Sequence, residues 1–181
     1  MGSLWIANHP DWSKSDLNKV QLFRERHDEL YYGTVEPHFT LVFPDFDKSV
    51  DRDQFVDHAK RVVSEFSEFE ATLSETAVVE DHFKPYWHLF LVPAKDSEGY
   101  RRLVELHDAL YSGPLNSLLR SDIPYIPHIG VANSRSREQC VALAASAQEM
   151  LPMQIKVKSV EISWFDGASD QLVELLPLKE A

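Results

Sequence analysis

One pattern occurs twice in this chain and constrains its fold more than any other feature. Pro37-His38-Phe39-Thr40-Leu41-Val42 returns 90 residues later as Pro127-His128-Ile129-Gly130-Val131-Ala132. Successive side chains of a strand point to opposite faces. His38 and Thr40 therefore share one face while Phe39 and Leu41 share the other, and in the second copy His128 and Gly130 face together against Ile129 and Val131. Each copy is followed by the same run of a helix, a strand pair and a proline, Pro93 in the first and Pro177 in the second. A period of this length excludes a solenoid of short repeats. It predicts two related lobes packed together, each supplying one histidine from an equivalent strand, so that the imidazoles meet across a groove with the Thr40 hydroxyl beside them.

The other elements follow from hydrophobic spacing. Residues 3–7 read as a short strand, and 15–31, charged and free of proline, carries Leu17, Val20 and Leu30 at roughly helical spacing. Residues 38–43 are strand-like and stop at Pro44. Phe55, Ala59, Val62 and Phe66 mark one face of a helix that Asp51 and Gln54 can start. Residues 69–79 and 87–92 form two strands around a break at 81–85. Tyr100, Leu103, Leu106 and Leu110 trace a second long helix, closed by Ser112, Gly113 and Pro114. A strand at 128–132 precedes a helix with a Ser136/Gln139 capping box and an apolar stripe of Cys140, Leu143, Ala144, Ala147 and Leu151. Strands at 155–165 and 172–176, separated by a turn-rich 166–170, close the chain.

The 181 residues are 44% hydrophobic and 26% charged, enough apolar material for a sizeable core in one domain spanning 1–181. The net charge of −11 repels long polyanions. It argues against DNA and favours a small nucleotide over a long RNA, with Arg120, Arg135 and Arg137 as a local basic rim at most. Cys140 is the only cysteine; a buried position in a reducing compartment is expected, with neither a disulfide framework nor a cysteine-based zinc site. No apolar run is long enough to span a membrane, and the first residues lack the regions of a secretory signal. A cytoplasmic, monomeric protein is expected. Neither metal-ligand spacing nor a glycine-rich phosphate loop is present, so no metal or other cofactor is expected. Among the remaining histidines, His58 and His107 lie on helix patterns among charged residues and are expected at the solvent. His82 and His88 flank a turn, and His9 and His27 belong to no motif. Trp87 and Trp164 are assigned to the core.

Two imidazoles around one phosphorus form a hydrolytic arrangement. In-line displacement needs a proton taken from the attacking oxygen and another given to the leaving oxygen. With an ordinary pKa of ~6.5, one imidazole can be neutral while the other is protonated, and such catalysis contributes about 10²–10⁴-fold. A hydroxyl such as that of Thr40 can hold the nonbridging oxygens.

The paired motifs are each led by proline and lie half a chain apart. Together with Pro124-Tyr125-Ile126-Pro127-His128, they make the chain resemble the two-histidine phosphoesterase superfamily, which includes 2′-5′ RNA ligase-like proteins and cyclic nucleotide phosphodiesterases. The opening Ser3-Leu4-Trp5-Ile6-Ala7 is similar to that of plant-type cyclic phosphodiesterases. The resemblance covers nearly the whole chain. It implies a bilobed α+β fold, with two pseudo-symmetric lobes whose antiparallel sheets line a central cleft and whose helices lie outside. It also implies metal-independent hydrolysis of a 2′,3′-cyclic nucleotide or a related phosphodiester at an RNA end. On this resemblance His38 and His128 are the catalytic pair and Thr40 the first phosphate-binding hydroxyl. Trp5 matches a base-stacking tryptophan, and Tyr125 is placed to line the cleft. Gly130 departs from the pattern, which has Thr or Ser there, although a glycine lets a ligand or water approach closely. Asn133 stands where an aromatic or basic side chain is common. These departures motivate the alternative of a noncatalytic nucleotide or RNA-end binding module.

Overall fold

The computed structural model describes residues 2–47 and 49–180. Its first strand, β1 (Ser3–Asn8), is buried along its whole length, because it is hydrogen-bonded on both sides. β3 (Phe39–Val42) pairs with one edge of β1 and β8 (Ser159–Phe165) with the other, and β9 (Asp170–Pro177) completes a four-stranded antiparallel sheet in the order β3-β1-β8-β9. A second antiparallel sheet of five strands contains β2 (Asp11–Trp12), β7 (Met153–Val157), β4 (Phe69–Glu80), β5 (Trp87–Pro93) and β6 (Ile129–Ser134), in that spatial order. The fold is α+β and bilobed, with two antiparallel sheets and helices.

The sequence repeat describes the motif strands but not the lobes. β3 and β6 occupy equivalent edge positions, one in each sheet. The strand pair that follows β3 in the chain, β4 and β5, lies in the second sheet beside β6, and the pair that follows β6, β8 and β9, lies in the first sheet with β1. Each sheet is therefore assembled from both halves of the chain. The continuous strand read at 155–165 is two strands that belong to different sheets, with the crossing at Lys158, between the end of β7 and the start of β8.

Local signals account for the helices α1 (Lys14–His27), α2 (Arg52–Val63), α3 (Glu98–Leu110) and α4 (Arg137–Gln148). Asp51 Oδ1 accepts from the backbone N–H groups of Asp53 and Gln54 at the start of α2, and Ser136 Oγ accepts from Gln139 N–H at the start of α4. The first helix stops at His27 instead of continuing to 31, because Asp28 is captured: its carboxylate accepts from Arg24 Nε at 3.0 Å and from Tyr31 N–H at 3.1 Å. α3 packs on β3, β4 and α2, whereas α4 lies across β4, β5 and β6. Phe39, Leu41, Leu89, Leu91, Leu103 and Ile129, all fully buried, belong to one core that draws on both sheets. Cys140 is buried as expected, and Trp164 packs against the core.

The expectation of exposed histidines on α2 and α3 is corrected. His58 is buried, donating from Nε2 to Leu110 O at 3.0 Å and accepting from Arg61 at Nδ1. His107 is also buried, its ring against Tyr111 and Tyr125. Charged sequence neighbours do not report burial here, because each helix turns its histidine inward.

A buried polar link ties α1 to β6. Arg24 and Asp28 form an ion pair with side chains only 3% and 4% exposed, Arg24 Nη2 donates to Val35 O at 2.7 Å, and Asn133 Nδ2 donates to Asp28 Oδ1 at 2.5 Å. Asn133 is thus tied through its amide to the end of α1. Removing one partner of a buried pair strands the other charge, at a cost of about 3–5 kcal/mol. Asp28→Ala is expected to lose about 3 kcal/mol or more in urea unfolding, and a loss under about 1 kcal/mol would show that water satisfies Arg24.

Candidate active site

The proline of each motif explains the geometry of its histidine. A residue before proline is held in an extended conformation, so Glu36 and Ile126 each present a carbonyl beneath the ring that follows two residues later. His38 Nδ1 donates to Glu36 O at 2.7 Å, and His128 Nδ1 donates to Ile126 O at 2.6 Å. A neutral imidazole that donates at Nδ1 keeps its lone pair at Nε2. Both rings therefore hold the same tautomer, and in His38 that lone pair faces the Thr40 hydroxyl at 3.2 Å.

Both imidazoles sit low in the protein surface with partial solvent contact. Desolvation holds His38 down to about 3, with the charges of His9, His128 and Arg24 adding to the effect against the Glu36 hydrogen bond, and holds His128 down to about 4, with His88 adding to it against the bond to Ile126. Both are neutral at neutral pH. A charge on His128 opposes protonation of His38, a smaller effect than desolvation.

The surroundings of the two rings differ. Trp5 meets His38 edge-on at 4.9 Å between ring centroids, and His9 lies 5.6 Å away. His128 instead lies almost flat on Phe90, with centroids 3.7 Å apart and planes 19° from parallel, and Phe90 stacks in turn on His88. His88 Nε2 donates to Asp81 Oδ2 at 2.8 Å. His9, His88 and Phe90 were not singled out from sequence. A usable signal was present, since His9 continues the Trp5, Ala7 alternation and His88 shares a strand face with Phe90, both at period two.

Trp5 and Tyr125 do not take the places expected of them. A base-stacking tryptophan needs an open indole face, whereas Trp5 is 4% exposed and its Nε1 donates to Asp170 Oδ1 at 2.8 Å. It forms the wall behind His38. Tyr125 leaves the cleft for α3, where it stacks on His107 at 3.6 Å. Arg120, Arg135 and Arg137 lie over the rings of Phe83, Tyr86 and Trp87, on and beside the turn between β4 and β5.

Gly130 is the register partner of Phe90 across β5 and β6. Its φ lies outside the left-handed region, and an added Cβ would meet only Phe90 Cε1, at 4.0 Å. The backbone does not require a glycine there. Among the described residues no three His, Cys, Asp or Glu side chains converge to hold a metal ion, and no helix is long and apolar enough to cross a membrane.

An α+β protein with two sheets, each presenting a Pro-His edge motif, has the architecture of a two-histidine phosphoesterase. A family model of the 2′-5′ RNA ligase superfamily matches residues 10–169. The chain belongs to that superfamily, whose members process phosphodiesters. The structure is similar to that of Escherichia coli LigT complexed with 3′-AMP, with 16% identity, 97% of each chain covered and a TM-score of 0.59. TT0787 of Thermus thermophilus gives 13% identity, 98% of each chain and a TM-score of 0.59. Usb1 of Kluyveromyces marxianus gives 11% identity, 97% of each chain and a TM-score of 0.55. No curated protein matches the sequence.

The depressed imidazoles fix the sign of a pH effect. The unfolded chain binds protons at His38 and His128 near the ordinary value of ~6.5, while the folded chain resists until about 3 and 4. Stability from these two groups is complete above pH 6.5 and is lost as the pH falls toward 4. Urea unfolding of wild type at pH 7.0, 5.5 and 4.5 is expected to show this decline. His128→Gln is expected to flatten it, and an unchanged slope would mean that the folded ring titrates normally.

Proposed function

We propose that this protein hydrolyses a 2′,3′-cyclic nucleotide or a related phosphodiester at an RNA end, using His38 and His128 as base and acid. The observation that carries the reading is the matched pair of imidazoles, each fixed by an Nδ1 bond to the carbonyl two residues earlier, with Nε2 left for chemistry. His38 Nε2 removes a proton from water as its oxygen attacks phosphorus, Thr40 holds a nonbridging oxygen, and protonated His128 Nε2 gives its proton to the departing ribose oxygen. The products are a phosphomonoester and a free hydroxyl.

One observation favours His128 as the acid: its face lies on Phe90, whose ring attracts a cation. Since both rings are neutral in the free protein, the proton on His128 arrives with the anionic substrate, whose charge offsets the desolvation that otherwise excludes it.

His38→Ala and His128→Ala are each expected to slow turnover of a 2′,3′-cyclic nucleotide by about 10²–10⁴-fold in folded protein. The measurement is chromatographic product identification on a panel of cyclic nucleotides and 2′-5′ dinucleotides, and unchanged turnover in either variant removes that residue from the mechanism. Gly130 favours a second reading, a binding module without turnover, because no side-chain hydroxyl serves the second motif. Calorimetric binding of a cyclic nucleotide with no product formed would support that reading. On the hydrolytic reading Gly130→Ser, which the space beside Phe90 admits, is expected to raise turnover by up to about tenfold, the smaller end of what a hydrogen bond to a charged group contributes. A folded serine variant with lower turnover would mean that the space above Gly130 is used by the substrate.

A further inference from the structure

The sheet face that carries Thr40 continues well past it. Ala7 is the register partner of Thr40 on one side and of Glu161 on the other, and Trp5 pairs with Ser163, which pairs in turn with Leu172. Register partners in an antiparallel sheet project to the same side, so Thr40, Ala7 and Glu161 lie in one row, with Ser163 and Leu172 beyond. Two strand spacings, about 10 Å, separate Thr40 from Glu161, the reach of one nucleoside.

A cavity of about 560 Å³ opens on this face beside His38. Glu36 and Pro37, the two residues before His38, form its near wall, Trp12 and Leu17 an apolar side, and Glu161 and Leu172 the strand floor. His9 joins the cavity to the imidazole pair: it lines the cavity, its ring lies 5.6 Å from that of His38, and its Nε2 is 3.7 Å from Glu161 Oε2. Three carboxylates line the cavity, those of Glu36, Glu161 and Asp170, and among the described lining residues there is no lysine or arginine.

We propose that this cavity is a nucleobase subsite, and that it takes a base with an amino group on its Watson–Crick edge and excludes any second phosphate. The proposal rests on the reading above for the position of the phosphorus. Apolar walls suit the faces of a flat ring, and the volume is that of ordinary small-molecule sites. A carboxylate accepts hydrogen bonds and donates none, so Glu161 favours cytosine, which offers N4–H, over uracil, which offers O4 in the same place. The same negative charge repels a second phosphate, and the buried indole of Trp5 is thereby freed from any stacking duty.

The test is calorimetric binding of 3′-CMP, 3′-UMP and inorganic phosphate to the full chain, its Glu161→Gln variant and its Leu172→Trp variant, with thermal melting to establish that each is folded. Wild type is expected to bind 3′-CMP about tenfold more tightly than 3′-UMP. Glu161→Gln, which can also donate to O4, is expected to erase that preference without changing phosphate affinity. Leu172→Trp, which fills the floor, is expected to weaken both nucleotides about tenfold or more and to leave phosphate unchanged. Equal affinities for the two nucleotides in wild type, or undiminished nucleotide binding in Leu172→Trp, would overturn the subsite. Base preference intact with no turnover of any cyclic nucleotide keeps the subsite and removes hydrolysis. Turnover of a cyclic nucleotide without any base preference keeps hydrolysis and removes the subsite.

Discussion

The pairing of β1 with β8 is the constraint on which the rest depends. It places residues 3–7 opposite 161–165 and so joins the two ends of the chain within the first sheet. With β8 on one side of β1, β3 is left as the outer strand of the first sheet, and β6 holds the equivalent place in the second. Edge strands are ordinarily a hazard because their backbone groups are free to pair with other chains. Here each edge strand is short and is led in by a proline, which donates no hydrogen bond, and by one histidine of the pair. The exchange of strand pairs between sheets gives the fold many contacts distant in sequence, and each sheet is complete only with strands from both halves.

The imidazole pair follows from that arrangement through desolvation. Burial holds both rings well below the ordinary imidazole value, and the carbonyl beneath each ring sets the tautomer while the other nitrogen stays available. The asymmetry arises from neighbours outside the motifs. His38 has Thr40, Trp5 and His9 around it, and His128 has Phe90 and, beyond it, His88 held by Asp81. Gly130 and Phe90 are best understood together. Lying across the sheet from one another, they place an aromatic face where the first motif has a hydroxyl, so the pseudo-symmetric pair consists of two chemically different imidazoles.

The superfamily assignment and the cavity beside His38 meet on one sheet face. β3 contributes the Thr40 hydroxyl, with His38 immediately before the strand, β1 the packed indole that backs them, and β8 and β9 the floor proposed for a base. The acidic balance of the chain, with a net charge of −11, is reflected locally in that cavity and not on the loop before His128, where Arg120 pairs with Asp122 and covers Phe83. On the proposed reading, a ligand with one phosphate meets less repulsion from this distribution than a long RNA backbone does.

The sequence by itself determined what depends on near neighbours: the alternation that puts His38 with Thr40 and His128 with Gly130, the caps at Asp51 and Ser136, the apolar helix stripes, and the α+β class. The prolines before each histidine belong here too, since their effect on the preceding carbonyl is local. Tertiary structure alone decided the sheet to which each strand belongs, the division of 155–165 at Lys158, and the burial of His58, His107 and Trp5. It also brought His9, His88 and Phe90 to the imidazoles. The reason is that periodicity encodes which face of an element is apolar but not which element covers it. A short β-strand can pair with any compatible edge, and the choice is made by packing that sums contacts from both ends of the chain.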